Sequence, residues 1–220
     1  MTDSIKILRI QYENIPLFHD GCFEFSFLAE DRVSDPAQVF QLRKNLYTQK
    51  LTALVGINAS GKTSVLKLIY LAISIVLARG SLNTLVYDKS LLRDETKITI
   101  DFCHGDSCYE LHSIIGKRAP SRSTGTELYF KEEQLFKKPL ASIKSKKDAL
   151  YFDQTRLALQ RSQLPKDALG FLKFDDSIVI SIMMDRQVPA IKSLISYTNN
   201  NSLMLYGPPH LSFFKFLIPA

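Results

Sequence analysis

The stretch LTALVGINASGKTSVLKLIY, Leu51 to Tyr70, joins a short apolar run, a glycine-containing turn and a pattern typical of a helix. The run LTALVG predicts a β-strand, and its continuous apolar character favours a central strand that is covered on both faces. Residues Lys62 to about Arg79 have the length and composition of one helix, and Gly80 is a natural stop. The stretch therefore predicts a strand, a loop and a helix in succession.

The loop between this strand and helix matches the spacing G-x-x-x-x-G-K-[ST], which is typical of phosphate binding. Its two glycines allow the backbone to wrap a phosphate with inward-pointing N–H groups, and the helix adds the positive end of its dipole. Lys62 would reach the β- and γ-phosphates as the catalytic residue, and Thr63 would offer its hydroxyl to Mg²⁺. The sequence thus predicts a site for ATP and Mg²⁺. The predicted nucleotide-binding residues are Gly56, Ile57, Asn58, Ala59, Ser60, Gly61, Lys62, Thr63 and Ser64.

The flanking sequence predicts β-structure before the loop and after the helix. IKILRIQYENI and CFEFSFLA alternate polar and apolar residues and predict a hairpin pair, with the phenylalanines of the second on one face. Residues 30–50, which are polar and include Pro36, are predicted to be a connecting loop. TKITIDFCHG, SCYELHSIIG and TELYFKEEQLF alternate again, with turns at HGDS and GKRAPSRSTG, and predict an antiparallel meander. Residues 141–220 are predicted to be mainly helical.

This order of elements resembles one class of ATPase. A hairpin before the loop strand and an antiparallel region after the loop helix are similar to the ATP-binding-cassette (ABC) heads of the SMC and RecF type. The sequence LVGINASGKTSVLKLI is similar to that of the AAA-type "ATP-binding protein" group related to RecF and OLD-family ATPases. The resemblance implies an α/β P-loop NTPase fold, an ABC/SMC-like head within a single domain of residues 1–220. Residues 1–80 would carry the first strands, the phosphate loop and its helix, and residues 95–140 an antiparallel β-subdomain.

The resemblance also implies functional parts beyond the phosphate loop. Asn58 would lie on the γ-phosphate side, although an asparagine suits a tight turn equally well. A glutamine after the β-subdomain would contact Mg²⁺ and the attacking water. Gln154, Gln160 and Gln163 are available, with Gln163 preferred, while a solvent-facing helical position is the simpler interpretation for each.

Other parts of such a head have no clear counterpart in the sequence. The only strand-like apolar run that ends in aspartate is IVISIMMD, and Arg186 follows Asp185 where the Walker B glutamate, the usual general base, is expected. No LSGG-like signature segment is present, and His210 lacks the preceding strand pattern of a γ-phosphate sensor. We therefore expect the N-terminal part of a longer head that lacks its C-terminal half. A separate chain could also supply that half, and hydrolysis would require both the missing half and a second head around the ATP.

Composition places the chain among ordinary globular proteins. Apolar residues make up 45% and charged residues 23%, and no apolar run reaches the roughly 18 residues of a membrane span. Because the N-terminus also lacks the features of a signal peptide, we expect a cytoplasmic protein with no membrane partner. The three cysteines have no framework spacing, so no disulfide scaffold is expected. The group Cys103, His104, Cys108 and His112 lacks the paired spacing of zinc sites.

The net charge of +6 is concentrated in residues 116–147. This basic stretch has nine Lys or Arg residues against three Glu, which gives 9 − 3 = +6. Such a stretch can attract nucleic acid or an acidic partner. Without a pattern of aromatic residues for base stacking, a solvated hairpin is the preferred interpretation.

Three classes of function follow from these features. The first is a head-type ATPase in which ATP closes two heads on each other, in DNA repair or phage defence as the resemblance suggests. The second is a nucleotide-binding regulatory module that does not hydrolyse ATP alone, which the missing general base supports. The third is a P-loop kinase, and the β meander after the loop helix argues against it.

Overall fold

The computed structural model describes residues 5–29, 35–56, 61–77, 79–119, 125–164 and 172–178. These residues form a six-stranded sheet, a separate two-stranded hairpin and three α-helices. The strands are β1 (Lys6–Glu13), β2 (Phe23–Ser26), β3 (Val39–Arg43), β4 (Leu46–Gln49), β5 (Thr96–His104), β6 (Ser107–Arg118), β7 (Glu127–Pro139) and β8 (Leu157–Gln160). The helices are α1 (Lys62–Val76) and the one-turn helices α2 (Leu82–Leu85) and α3 (Lys146–Ala149).

The large sheet has the strand order β2-β1-β5-β6-β7-β8, and every neighbouring pair is antiparallel. The predicted N-terminal hairpin pair and the predicted meander are both confirmed. They belong to one sheet because β1 pairs with β5, with Ile10 opposite Ile100 and Tyr12 opposite Ile98. The predicted HGDS turn is also confirmed, and Gly105 adopts a left-handed φ of 54° within it.

Helix α1 packs on one face of the sheet, over β1 and β5. Its buried residues recur at helical spacing and include Leu68, Leu71, Ala72 and Ile75. The buried Tyr12 hydroxyl donates a hydrogen bond to the Leu68 carbonyl oxygen at 2.7 Å, which joins the helix to the centre of the sheet. The predicted helix is confirmed, and it ends at Val76 rather than near Arg79.

The prediction of a connecting loop over residues 30–50 is wrong, because this region contains the β3–β4 hairpin. The two strands have five and four residues, and the flanking residues are polar, so their alternation is weak in the sequence. Their tight turn uses Asn45, whose φ of 65° is one that asparagine tolerates. The Ala29 N–H bonds to the Tyr47 carbonyl oxygen at 3.0 Å, and this contact joins the hairpin to the segment that follows β2.

The helical prediction for residues 141–220 is wrong over residues 141–163. That part contains α3, short 3₁₀ turns and the strand β8, which pairs with β7. Side chains cap the start of two of these short turns: the Ser145 hydroxyl accepts from the Asp148 N–H at 3.0 Å, and the Asp153 carboxylate accepts from the Thr155 N–H at 2.9 Å. Most of the remaining predicted region, 165–171 and 179–220, lies outside the described residues.

The run LTALVG is not a central strand in the structure. Residues 51–56 have no regular secondary structure, and Leu51 and Val55 are 77% and 93% exposed. A central strand needs a neighbour on each side, and within the described ranges no strand lies alongside this run. The described fold is therefore a mixed α/β arrangement around an antiparallel sheet.

The opposite face of the sheet is covered by the β3–β4 hairpin and by residues 140–152, which we call the strap. Leu140, Ile143 and Ala149 of the strap share a buried apolar cluster with Leu8 and Leu46. The sheet therefore has two covered faces, with α1 on one and the strap on the other. No helix in the described ranges is long and apolar enough to cross a membrane.

A disulfide joins Cys103 and Cys108 beneath the strap. The two cysteines lie directly opposite each other across β5 and β6, with their Cα atoms 4.0 Å apart, and both are buried. Cys22 is free and exposed. The expectation of cysteines without a disulfide is therefore wrong for this pair, because a short hairpin turn brings together residues whose spacing matches no familiar framework.

Candidate functional site

The predicted phosphate loop ends at Gly61, which caps the N-terminus of α1. Gly61 has φ 82° and ψ 5°, a left-handed conformation that other residues adopt at a cost. A Cβ at this position would lie 3.6 Å from Leu17 Cδ1, which is ordinary contact. The backbone angle, rather than a lack of space, therefore requires glycine here.

Lys62, the first residue of α1, extends its side chain back across the loop. Its Nζ atom donates a hydrogen bond to the Gly56 carbonyl oxygen at 2.7 Å. The ammonium group thus lies at the start of the loop, and the two ends of the predicted motif are close together. The first turn of α1 has no acidic residue that would oppose an anion.

Thr63 and Ser64 lie in the first turn of the helix. Thr63 is exposed and Ser64 is half-buried, and the N-cap residue, Gly61, has no side chain to bond to the first N–H groups of α1. The first backbone N–H groups of a helix have no partner within the helix, so they can bind an anion. The four middle positions of the loop, Ile57, Asn58, Ala59 and Ser60, lie outside the described residues, and their binding role stays a prediction.

The predicted glutamine ligand is placed near the far edge of the sheet. Gln163 is exposed in the 3₁₀ turn Arg161–Gln163, directly after β8. β8 lies three strand positions, or about 14 Å, from β5, on which α1 packs. A role of Gln163 in binding Mg²⁺ stays a prediction, as do the weaker alternatives Gln154 and Gln160. Asp185 and His210 lie outside the described residues.

The described part of the chain contains no group of three or more His, Cys, Asp or Glu residues that could hold a metal ion. Cys103 and Cys108 are joined to each other. His112 instead contacts Glu110, with 2.9 Å between Nε2 and Oε1.

The basic stretch is divided by the fold into exposed, paired and buried residues. Arg118 forms an ion pair with Glu127 at 3.1 Å, and Lys131 forms one with Glu95. Lys138 is buried beneath the strap. The charge that the sequence concentrates in one segment is therefore partly neutralised in the fold, and nucleic acid as a partner stays a prediction.

One buried cluster has no signal in the sequence. Glu133, in the polar string KEEQ, is fully buried and accepts hydrogen bonds from Arg161 Nε at 3.0 Å, Ser177 Oγ at 2.7 Å and the Ile178 N–H at 2.9 Å. Burial raises the pKa of Glu133 to about 7, while the Arg161 guanidinium opposes the shift. The cluster holds residues 172–178 against β7. A glutamate in such a polar string is normally exposed, so only the tertiary structure reveals it.

Comparisons of the chain with protein-family models, with curated proteins and with solved structures found no match. The candidate site is therefore interpreted from its own residues.

Proposed function

We propose that the chain binds ATP with Mg²⁺ through the phosphate loop Gly56–Thr63, as the nucleotide-binding part of a head-type P-loop ATPase. The observation that carries the proposal is the left-handed Gly61 directly before α1, with the Lys62 ammonium group at the other end of the loop. Together with the motif spacing, this is the arrangement that a bound triphosphate needs. The exposed Thr63 and the absence of an acid in the first turn of α1 also suit it.

Each described residue of the loop has a role in this proposal. Lys62 would exchange its bond to the Gly56 carbonyl oxygen for charge-assisted bonds to the β- and γ-phosphates. The backbone N–H groups at the start of α1 would bind phosphate oxygens, and Thr63 would hold Mg²⁺. Mg²⁺ would neutralise part of the phosphate charge.

Hydrolysis is a separate part of the proposal. A general base would come from a chain that completes the head, and a second head would close over the ATP. A nucleotide-binding module that does not hydrolyse ATP is the alternative, and the Arg186 that follows Asp185 favours it.

Isothermal titration calorimetry with Mg²⁺–ATP tests the binding proposal. Lys62→Ala should weaken binding about 10- to 100-fold, because hydrogen bonds to charged groups contribute about 1.5–3 kcal/mol. Lys67→Ala is the matched control, since Lys67 is exposed on the same helix and its loss removes the same charge. Equal affinity of the wild type and Lys62→Ala, or an equal loss in both variants, would contradict the site.

A further inference from the structure

A buried pair of carboxyl groups lies under the strap. Asp101 on β5 and Glu110 on β6 are cross-strand partners, and their side chains are almost completely buried. Arg9 on β1 bridges them, with Nε 2.7 Å from Asp101 Oδ2 and Nη2 3.9 Å from Glu110 Oε2. Two adjacent buried carboxylates repel each other, so such a pair favours holding one proton.

The cations that balance this pair also hold one end of the strap. Arg9 Nη2 donates to the Leu150 carbonyl oxygen at 3.4 Å. Lys138 Nζ donates to the Tyr151 carbonyl oxygen at 2.7 Å and to that of Asp148, and it lies 3.9 Å from the ring centre of Phe152. Lys138 also interacts electrostatically with Asp101 and Glu110. Each cation is therefore shared between the carboxyl pair and the strap.

The other end of the strap is held independently. Arg43 Nη1 donates to the Leu140 carbonyl oxygen at 3.1 Å and to those of Ala141 and Ile143. Arg43 lies on the β3–β4 hairpin, whereas the carboxyl pair lies on the sheet. The two ends of the strap thus depend on different charges.

We propose that the end of the strap at residues 148–152 opens when the Asp101–Glu110 pair loses its proton, while the Arg43 end stays closed. With both carboxylates ionised, Arg9 and Lys138 are drawn toward them, because hydrogen bonds between ionised groups are stronger than those to backbone carbonyl oxygens. The strap then loses its bonds at Leu150 and Tyr151. Opening would expose Ala149 and the apolar side chains that pack around it.

The pH at which this happens follows from the environment of Asp101. Burial raises its pKa to about 7 from 3.8, Arg9 opposes the shift, and Glu110 adds to it. The folded protein therefore binds this proton more tightly than the unfolded chain. The resulting stabilisation is complete below about pH 4 and is lost as the pH rises through about 7.

Other charged groups face the same cluster. His112 is close to Glu110, and Asp148, on the strap, raises the pKa of Lys138 while Arg156 lowers it. Burial nevertheless lowers the pKa of Lys138 overall. These groups modulate the response, but among the described residues the carboxyl pair is the one that interacts with both Arg9 and Lys138.

Hydrogen exchange at pH 6 and pH 8, corrected for the intrinsic pH dependence, tests the proposal on the purified chain. The backbone N–H groups of Ala149, Leu150 and Tyr151 all bond within the strap, so their exchange reports its opening. We expect their corrected exchange to be about tenfold faster at pH 8 than at pH 6, because opening is coupled to the release of one proton. Peptides covering residues 140–143 should show no change. Equal corrected exchange at both pH values would overturn the proposal.

Three variants separate this proton from others in the protein. Asp101→Asn should remove the pH response of residues 149–151, and Glu110→Gln should do the same if Asp101→Asn does not fold. Glu133→Gln should leave the response intact, because Glu133 titrates in the same range but binds residues 172–178 instead of the strap. A pH response that persists in both carboxyl-pair variants, or one that is lost in Glu133→Gln alone, would show that another group binds the proton and would overturn the proposal.

Discussion

Glu133 is a single residue with a measurable effect on the pH dependence of stability. Burial raises its pKa from 4.5 to about 7, so the folded state holds its proton more tightly than the unfolded chain does. The contribution of this group is complete below about pH 4.5 and is lost as the pH rises through about 7, which amounts to about 3 kcal/mol in all. We predict that Glu133→Gln flattens the fall in the free energy of unfolding between pH 5 and pH 8, measured by urea denaturation.

Glu132→Gln is the control for that measurement, because Glu132 is the exposed neighbour on the same strand. It should leave the slope unchanged. The absolute stability of Glu133→Gln is a poor readout, since the variant leaves the partly buried Arg161 without its ionic partner. A slope that is the same in the wild type and Glu133→Gln would contradict the assignment.

Residues of the candidate phosphate site and of the two buried carboxyl clusters differ in how well the sequence could predict them. The position of Gly61 and Lys62 at the start of α1 was predictable, because the loop spacing marks where the helix begins, while their role in phosphate binding stays a prediction. Glu133 and Asp101 were not predictable, because their burial depends on residues that are distant in the sequence. Asp101 meets Arg9 from the first strand, and Glu133 meets Ile178 at the end of the described residues.

At the scale of elements, strands and helices with a long regular period were the predictable ones. β5, β6 and β7 are 9 to 13 residues long, which leaves room for stretches of alternation, and α1 holds helical spacing over 15 residues. β4 and β8 have 4 residues each, too few for the period to appear. The strand prediction for LTALVG was wrong for another reason. Its composition suits a strand, but strand pairing depends on neighbouring strands that composition does not specify.

The disulfide in the β5–β6 hairpin can be tested by counting free thiols. Protein purified without reductant, denatured and alkylated should carry one label, on Cys22, and three labels after reduction, because Cys103 and Cys108 are joined. Mass spectrometry of the intact chain gives both numbers. Cys22→Ser should then carry no label without reductant, and Cys103→Ser should carry two. Three labels on the unreduced wild type would contradict the disulfide.

For the whole molecule, the sheet separates two charged regions. The candidate phosphate site lies at the N-terminus of α1, on one face, and the strap with its carboxyl pair lies on the other. α1 is joined to the sheet through Tyr12, while the strap is held by Arg9, Arg43 and Lys138. Because the two regions share no described hydrogen bond, loss of ATP binding and loss of the strap response can be measured independently.

The final prediction concerns what the 220-residue chain does with bound ATP. We expect binding without turnover, because the first turn of α1 carries no acid and the sequence places Arg186 where a general base is expected. Phosphate release under single-turnover conditions, with protein in excess over ATP and Mg²⁺ present, should equal that of Lys62→Ala. Release that occurs in the wild type and is lost in Lys62→Ala would place a general base within these residues. Asp185→Asn would then test the Walker B candidate. Loss of phosphate release with retained ATP binding is the result expected when a residue assists the reaction rather than the affinity.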